Sequence, residues 1–82
     1  MQDLTLIDQI MARLLEDAII AYRDSNMATD QEEVDFHNAQ CETYLQAYEN
    51  SLSILAESDI DKDFTDRLIL TMRATLKQEM NA

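Results

Sequence analysis

Residues 30–57 read DQEEVDFHNAQCETYLQAYENSLSILAE and form the longest uninterrupted helical pattern in the chain. Side chains suited to burial recur there every three or four residues, which predicts a helix with one buried face about 120° wide. The face comprises Val34, His37, Cys41, Tyr44, Leu45, Tyr48, Leu52 and Leu55. The segments on either side have similar amphipathic patterns, so this stretch is expected to be the central helix of a helical protein.

The composition also points to helices. The chain has 82 residues and contains no glycine and no proline, so it lacks the common helix breakers and the residues that tight hairpins prefer. We predict an all-α fold with one domain over residues 1–82, a three-helix up-down-up bundle with helices at about 3–24, 30–57 and 59–80. The alternative is a long two-helix hairpin whose third helix is exchanged between protomers. Because so short a chain buries a small core, we expect a homodimer.

The ends of these helices are predicted from capping residues. Thr5 with Asp8 resembles a capping box at the start of the first helix, and Asp3 is an equally good N-cap. Asn26 is expected to end this helix in the left-handed conformation. Thr29 and Glu32 have the spacing of a capping box at the start of the second helix. Ser58 is the predicted N-cap of the third helix.

The outer helices have broader or more inclined apolar faces than the central one. Apolar residues cover roughly half the circumference of the first helix, namely Leu4, Ile7, Ile10, Met11, Leu14, Leu15, Ala18, Ile19, Ala21 and Tyr22. The third helix has an apolar residue at every fourth position, namely Ile60, Phe64, Leu68, Met72, Leu76 and Met80. Ile20 and Leu70 lie off these faces, so we expect Ile20 to be exposed and Leu70 to be exposed or at an interface.

The charge of the chain is strongly negative. It has 17 acidic and 6 basic residues, a net charge of −11, which argues against direct binding to nucleic acid or to an anionic membrane because phosphates would be repelled. From Asp24 to Asp61 there are 10 acidic residues and no lysine or arginine. Asp35, Glu42 and Glu49 form a row at seven-residue spacing, on the side of the central helix opposite its buried face. A partner with a basic surface is the natural counterpart.

No segment has the pattern of a membrane span or a secretion signal. No window approaches the roughly 20 consecutive apolar residues that a spanning helix needs, and the first residues are acidic where a signal peptide is basic. The single cysteine, Cys41, cannot form a disulfide within its own chain. These features predict a cytoplasmic protein.

The residues needed for catalysis or metal binding are few. His37 and Cys41 are four residues apart and share a helix face, but two ligands do not make a metal site, and the chain has no other histidine or cysteine. Without glycine there is no glycine-rich phosphate loop. Close carboxylate pairs are unavoidable among 17 acidic residues, so their proximity is uninformative. We therefore predict no enzyme activity, no metal and no cofactor.

Two classes of function are consistent with this sequence. The first is a small acidic regulator or adaptor that acts by occupying the surface of a partner protein with a basic or apolar face. The second is an acidic mimic of nucleic acid, of phage or plasmid type, that inhibits a DNA- or RNA-binding protein. A structural role, as a filament or shell subunit, is a weaker third hypothesis. Tyr44 and Tyr48 are interpreted first as core and second as interface residues, and the candidate partner contacts are Asp35, Glu42, Glu49, Tyr44, Tyr48, Ile20 and Leu70.

Overall fold

The structure is a computed structural model that describes residues 4–81, and these residues form three α-helices and no strand. Helix α1 spans Leu4–Met27, α2 spans Gln31–Glu57 and α3 spans Lys62–Met80. The start of α1 lies beside the end of α2, so these two helices form an antiparallel hairpin. Arg23, late in α1, forms an ion pair with Glu79, late in α3, so α3 runs in the direction of α1. The predicted all-helical fold is confirmed, and the helices follow one another up, down and up.

The connection between α1 and α2 is shorter than predicted. Helix α1 continues through Met27, and the amide of Ala28 donates a hydrogen bond to the Asp24 carbonyl at 3.0 Å. The prediction that Asn26 adopts the left-handed conformation is wrong, since no residue from 4 to 81 has a positive φ angle. The N-cap of α2 is Asp30 and not Thr29, because the Asp30 carboxylate accepts a hydrogen bond from the Glu32 amide at 3.1 Å.

The connection between α2 and α3 also differs from the prediction. Ser58 closes α2 instead of opening α3, since its amide and its hydroxyl both donate to the Leu55 carbonyl, at 3.2 and 2.7 Å. Helix α3 begins later, with Asp61 as the N-cap that accepts from the Asp63 amide at 3.0 Å. Ser58 and Asp61 are both good N-cap residues. Because Ser58 donates its hydrogen bonds to Leu55 of α2, Asp61 caps α3 instead. The proposed cap Asp3 lies outside the described residues.

The hydrophobic core occupies one half of the bundle. We call this the lower half: the first half of α1, the second half of α2 and the first half of α3. All three helices meet there around large buried side chains, namely Met11, Leu15, Tyr48, Leu52, Leu55, Phe64 and Leu68. Burying each of these side chains contributes about 1.5–3 kcal/mol, so this cluster provides most of the tertiary stabilisation.

The upper half, formed by the opposite ends of the helices, is packed differently. The buried residues of α1 in this half are mostly small, namely Ala18, Ala21 and Ser25, with Ile19 beside them. No residue of α2 before Tyr48 is fully buried. In α3 burial ends at Leu68, and Met80 is exposed. The predicted seams of α2 and α3 are therefore filled only in their lower parts.

Candidate protein-interaction surfaces

The predicted acidic row is exposed along its whole length. Asp35, Glu42 and Glu49 all lie at the surface of α2, and Asp35 accepts a hydrogen bond from the Gln31 amide group at 2.8 Å. Within residues 4–81, no carboxylate of α2 forms an ion pair, since the three ion pairs of this region join other residues. The row is therefore a negative surface without compensating cations. Successive residues of the row are about 10 Å apart along the helix.

Another flank of α2 is apolar and was missed by the sequence analysis. Phe36 and Ile54 are 60% and 67% exposed, and they are separated by five complete helical turns, so they point in the same direction. That direction lies roughly 120° from the buried seam, on the side opposite to the acidic row. The signal was present in the sequence as two large apolar residues off the seam, but it becomes interpretable only once the position of α3 is known.

This flank continues onto α1, on the side of the α1–α2 hairpin that faces away from α3. Three shallow depressions line the surface there, two of them between the helices. We call this surface the hairpin face and define it by Leu6, Ile10, Arg13, Asp17, Ile20, Phe36, Tyr44 and Ile54. Ile20 lies at its edge, because it also borders the space between α1 and α3. Ile10 was predicted to be buried and is 52% exposed, because three helices cannot cover an apolar face as wide as that of α1.

The seven candidate contact residues do not form one site. The three carboxylates occupy the acidic row, whereas Ile20 and Tyr44 belong to the hairpin face. Leu70 is exposed, as expected, but it lies on the outer side of α3, about 120° around that helix from buried Phe64 and about 160° from buried Leu68. The candidates thus lie on three separate surfaces, which are the acidic row, the hairpin face and the outer side of α3, and one candidate, Tyr48, is buried.

Tyr48 is the buried member of that set. It is 1% exposed, and its hydroxyl donates a 2.8 Å hydrogen bond to the Leu68 carbonyl. Burial, and then the negative charge of Asp8, raise the pKa of Tyr48. A role for Tyr48 as a direct partner contact does not fit this position, whereas its interpretation as a core residue does.

His37 and Cys41 lie on the half-buried upper part of α2. The His37 ring nitrogen Nδ1 is 3.4 Å from Oε1 of Gln40, and its ring packs edge-on against Phe36 with centroids 5.4 Å apart. Burial, and then Glu42, raise the pKa of the Cys41 thiol, which makes it less reactive as a nucleophile. Across residues 4–81 no group of three or more histidine, cysteine or carboxylate side chains is placed to hold a metal ion.

A groove of about 500 Å³ lies between α1, from Asp8 to Arg23, and the middle of α3, from Arg67 to Thr75. Its walls carry both charge signs, with Asp8 and Glu16 on α1 and Arg67 on α3, and Tyr48 lies at its floor. The Arg67 guanidinium lies 5.3 Å from the centroid of the Phe64 ring. The volume is in the range of small-molecule sites, but the lining has no cluster of polar groups directed at one point. We interpret the groove as a gap that remains because α3 packs only loosely against α1.

Comparisons with protein-family models, with characterised proteins and with solved structures find no match to this chain. Among residues 4–81, no helix is both long enough and apolar enough to cross a membrane.

Proposed function

We propose that this protein is a small acidic regulator or adaptor that acts by binding another protein, is not an enzyme, and works as a homodimer. The observation that carries the proposal is the division of the α2 surface into two unlike flanks. One flank is the exposed acidic row, without ion pairs within residues 4–81, and the other is the exposed apolar strip that includes Phe36 and Ile54. Monomeric soluble proteins rarely expose a large continuous apolar surface unless it binds something.

The acidic row determines the chemistry of the expected partner. Its carboxylates face water, so lysine or arginine side chains of a partner could pair with them without first displacing an internal cation. Each exposed pair contributes only about 0–1 kcal/mol, but a negative surface of this length also accelerates the encounter with a positively charged protein. We therefore propose a partner with a basic surface.

The nucleic-acid mimic is the weaker proposal on grounds of charge density. Residues 4–81 contain 16 acidic and 6 basic residues, because Asp3 lies outside them, which gives a net charge of −10. The long axis of the molecule is 49 Å. One chain thus carries one net charge per about 4.9 Å, and two chains side by side carry one per about 2.5 Å, whereas duplex DNA carries one per about 1.7 Å. A protein partner selected by a few basic side chains fits this density better than a DNA-binding groove does.

The test is capture of binding proteins from the native cell extract with two matched variants. Glu42→Lys with Glu49→Lys reverses two charges of the row. Glu57→Lys with Asp59→Lys makes the same change in net charge at the last residue of α2 and in the connection that follows it, outside the row. We expect the amount of captured protein to fall at least about tenfold with the first variant and to be unchanged with the second. Capture by the wild type should weaken as the salt concentration rises.

Two outcomes would contradict the proposal. Equal retention by both variants would remove the acidic row from the interaction. Equal loss from both variants would mean that only net charge matters, which is the behaviour expected of non-specific electrostatic association.

A further inference from the structure

The hairpin face carries few charges on a strongly acidic molecule, although Asp24 lines the same depression as Arg13 and Asp17. Its one basic residue, Arg13, forms a 3.3 Å ion pair with Asp17 across one helical turn. The unpaired carboxylates nearest to it, Asp24 and Glu33, lie at its upper edge. The face also holds five of the large apolar residues that are most exposed, namely Leu6, Ile10, Ile20, Phe36 and Ile54.

Six of the eight side chains that define this face form pairs that are symmetrical along their helix, whereas the counterpart of Leu6 is Asp24 and that of Tyr44 is Gln46. Ile10 and Ile20 lie five residues on either side of position 15, and Arg13 and Asp17 lie two residues on either side of it. On α2, Phe36 and Ile54 lie nine residues on either side of position 45. Given the antiparallel pairing of the helices, positions 15 and 45 are level within about one helical turn. A surface with this pattern is self-complementary under a twofold axis.

We infer that the hairpin face binds a second copy of this chain about a twofold axis that crosses the helices near the Arg13–Asp17 pair, so that α1 packs on α1 and α2 on α2 in antiparallel orientation. This inference rests on the dimeric state in the proposed function and is independent of the acidic row. The axis places Ile10 against Ile20 of the partner subunit, and Ile54 against Phe36 of the partner subunit. Arg13 then faces Asp17 of the partner subunit.

Electrostatics favour this face over an approach of two copies through their acidic rows. Each chain has a net charge of −11, so contact through most of the surface brings carboxylates together and is opposed by repulsion. The hairpin face contributes opposite charges at its centre, and the twofold axis aligns each arginine with a carboxylate of the other copy. The second copy is therefore an occupant that matches the face in both polarity and charge.

The area of the face is also sufficient for a stable dimer. Helix α1 has 24 residues and α2 has 27, so the hairpin is about 36–40 Å long and about 20 Å wide. Two such surfaces bury about 1,400 Å² in total, which lies within the range of about 1,200–2,000 Å² for specific interfaces.

The dimer has a consequence for the acidic row. Because α2 packs on α2, the two rows lie along the same edge of the assembly, turned away from the interface and roughly 20 Å apart. At that separation physiological salt screens most of their repulsion, since the Debye length is about 8 Å. One basic partner could therefore contact both rows at once.

The first experiment measures mass in solution by sedimentation for three proteins. Ile54→Asp places a carboxylate in the proposed interface, and Leu70→Asp makes a comparable change at an equally exposed position on α3, since the two residues are 67% and 63% exposed. We expect the wild type and Leu70→Asp to have twice the 9.5 kDa mass of the chain. Ile54→Asp should dissociate, with a dimer dissociation constant raised at least about 100-fold. Circular dichroism checks that both variants remain helical.

The second experiment tests the position of the axis. Asp17→Arg should weaken the dimer by at least about tenfold, because arginines of the two copies then face each other. Arg13→Asp together with Asp17→Arg exchanges the two charges and should restore dimerisation. A monomeric wild type, or an Ile54→Asp variant that stays dimeric, would overturn the interface. Failure of the charge exchange to restore the dimer would overturn the axis. A monomeric wild type would also remove the homodimer from the proposed function, whereas an Ile54→Asp variant that stays dimeric would overturn this interface alone. Neither result depends on capture by the acidic row.

Discussion

The lower and upper halves of the bundle use the same helices and are held together in different ways. In the lower half, three helices surround large side chains such as Met11, Phe64 and Leu68. In the upper half, α1 and α2 approach through small residues, and no residue of α3 after Leu68 is fully buried. The difference shows that amphipathic periodicity marks the sides of a helix that are suited to burial, whereas a neighbouring helix decides which parts of those sides are buried.

The largest expected effect compares two tyrosines on the same face of α2, one turn apart. Tyr48→Ala removes a side chain that is 1% exposed and should lower the free energy of unfolding by about 3–5 kcal/mol. Tyr44→Ala removes a half-buried side chain and should cost about 1 kcal/mol. Urea denaturation at one fixed protein concentration measures both values. Equal losses would show that the upper half is as well packed as the lower half.

A smaller effect is expected when only the hydroxyl of Tyr48 is removed. Tyr48→Phe loses the hydrogen bond to the Leu68 carbonyl and should cost about 1 kcal/mol at pH 7. Because burial raises the pKa of Tyr48, the folded state holds the phenolic proton more tightly than the unfolded state does. The stabilisation is therefore complete below the ordinary tyrosine pKa of about 10 and is lost as the pH rises above it.

Denaturation between pH 8 and pH 11 tests this sign. The wild type should lose stability towards pH 11 more steeply than Tyr48→Phe, so that the difference between them shrinks. Cys41 titrates in both proteins, and its contribution cancels in the comparison. A constant difference across this range would mean that the Tyr48 hydroxyl is not buried in the folded protein.

The smallest effect is expected at the top of the bundle, where Arg23 pairs with Glu79. The hydrogen bond to Glu79, and then its charge, raise the pKa of Arg23, but the arginine is exposed, so solvent weakens the pair. Arg23→Gln should leave the denaturation midpoint unchanged within error at both low and high salt. A loss as large as that of Tyr48→Phe would show that this ion pair anchors α3 to α1.

Much of the fold could be predicted from local chemistry. The absence of glycine and proline and the three- and four-residue spacings gave three helices and no strands, and the exposure of Ile20 and Leu70 followed from their positions off the apolar faces. The caps were less predictable, because Thr29 and Asp30, or Ser58 and Asp61, are all competent N-cap residues. Small differences in the packing of the connections decide among such neighbours.

The candidate surfaces were only partly predictable. The acidic row could be predicted from spacing alone, because carboxylates without a basic partner remain in water wherever the neighbouring helices lie. Phe36 and Ile54 lie off the predicted seam, so their exposure could have been recognised from spacing, but their place on a surface shared with α1 required the position of α3. Ile10 lies on the predicted apolar face of α1, so its exposure could not be recognised from the sequence.

The sequence by itself therefore determined the helices, their amphipathic sides and the charged flank of α2, because these depend on interactions within a few residues. Only the tertiary structure decided that Tyr48 is core and that Ile54 is surface. The physical reason is the placement of α3, which has 19 residues against the 27 of α2 and packs on one side of the hairpin. It buries the seam of α2 from Tyr48 to Leu55 and leaves the opposite side of the hairpin uncovered.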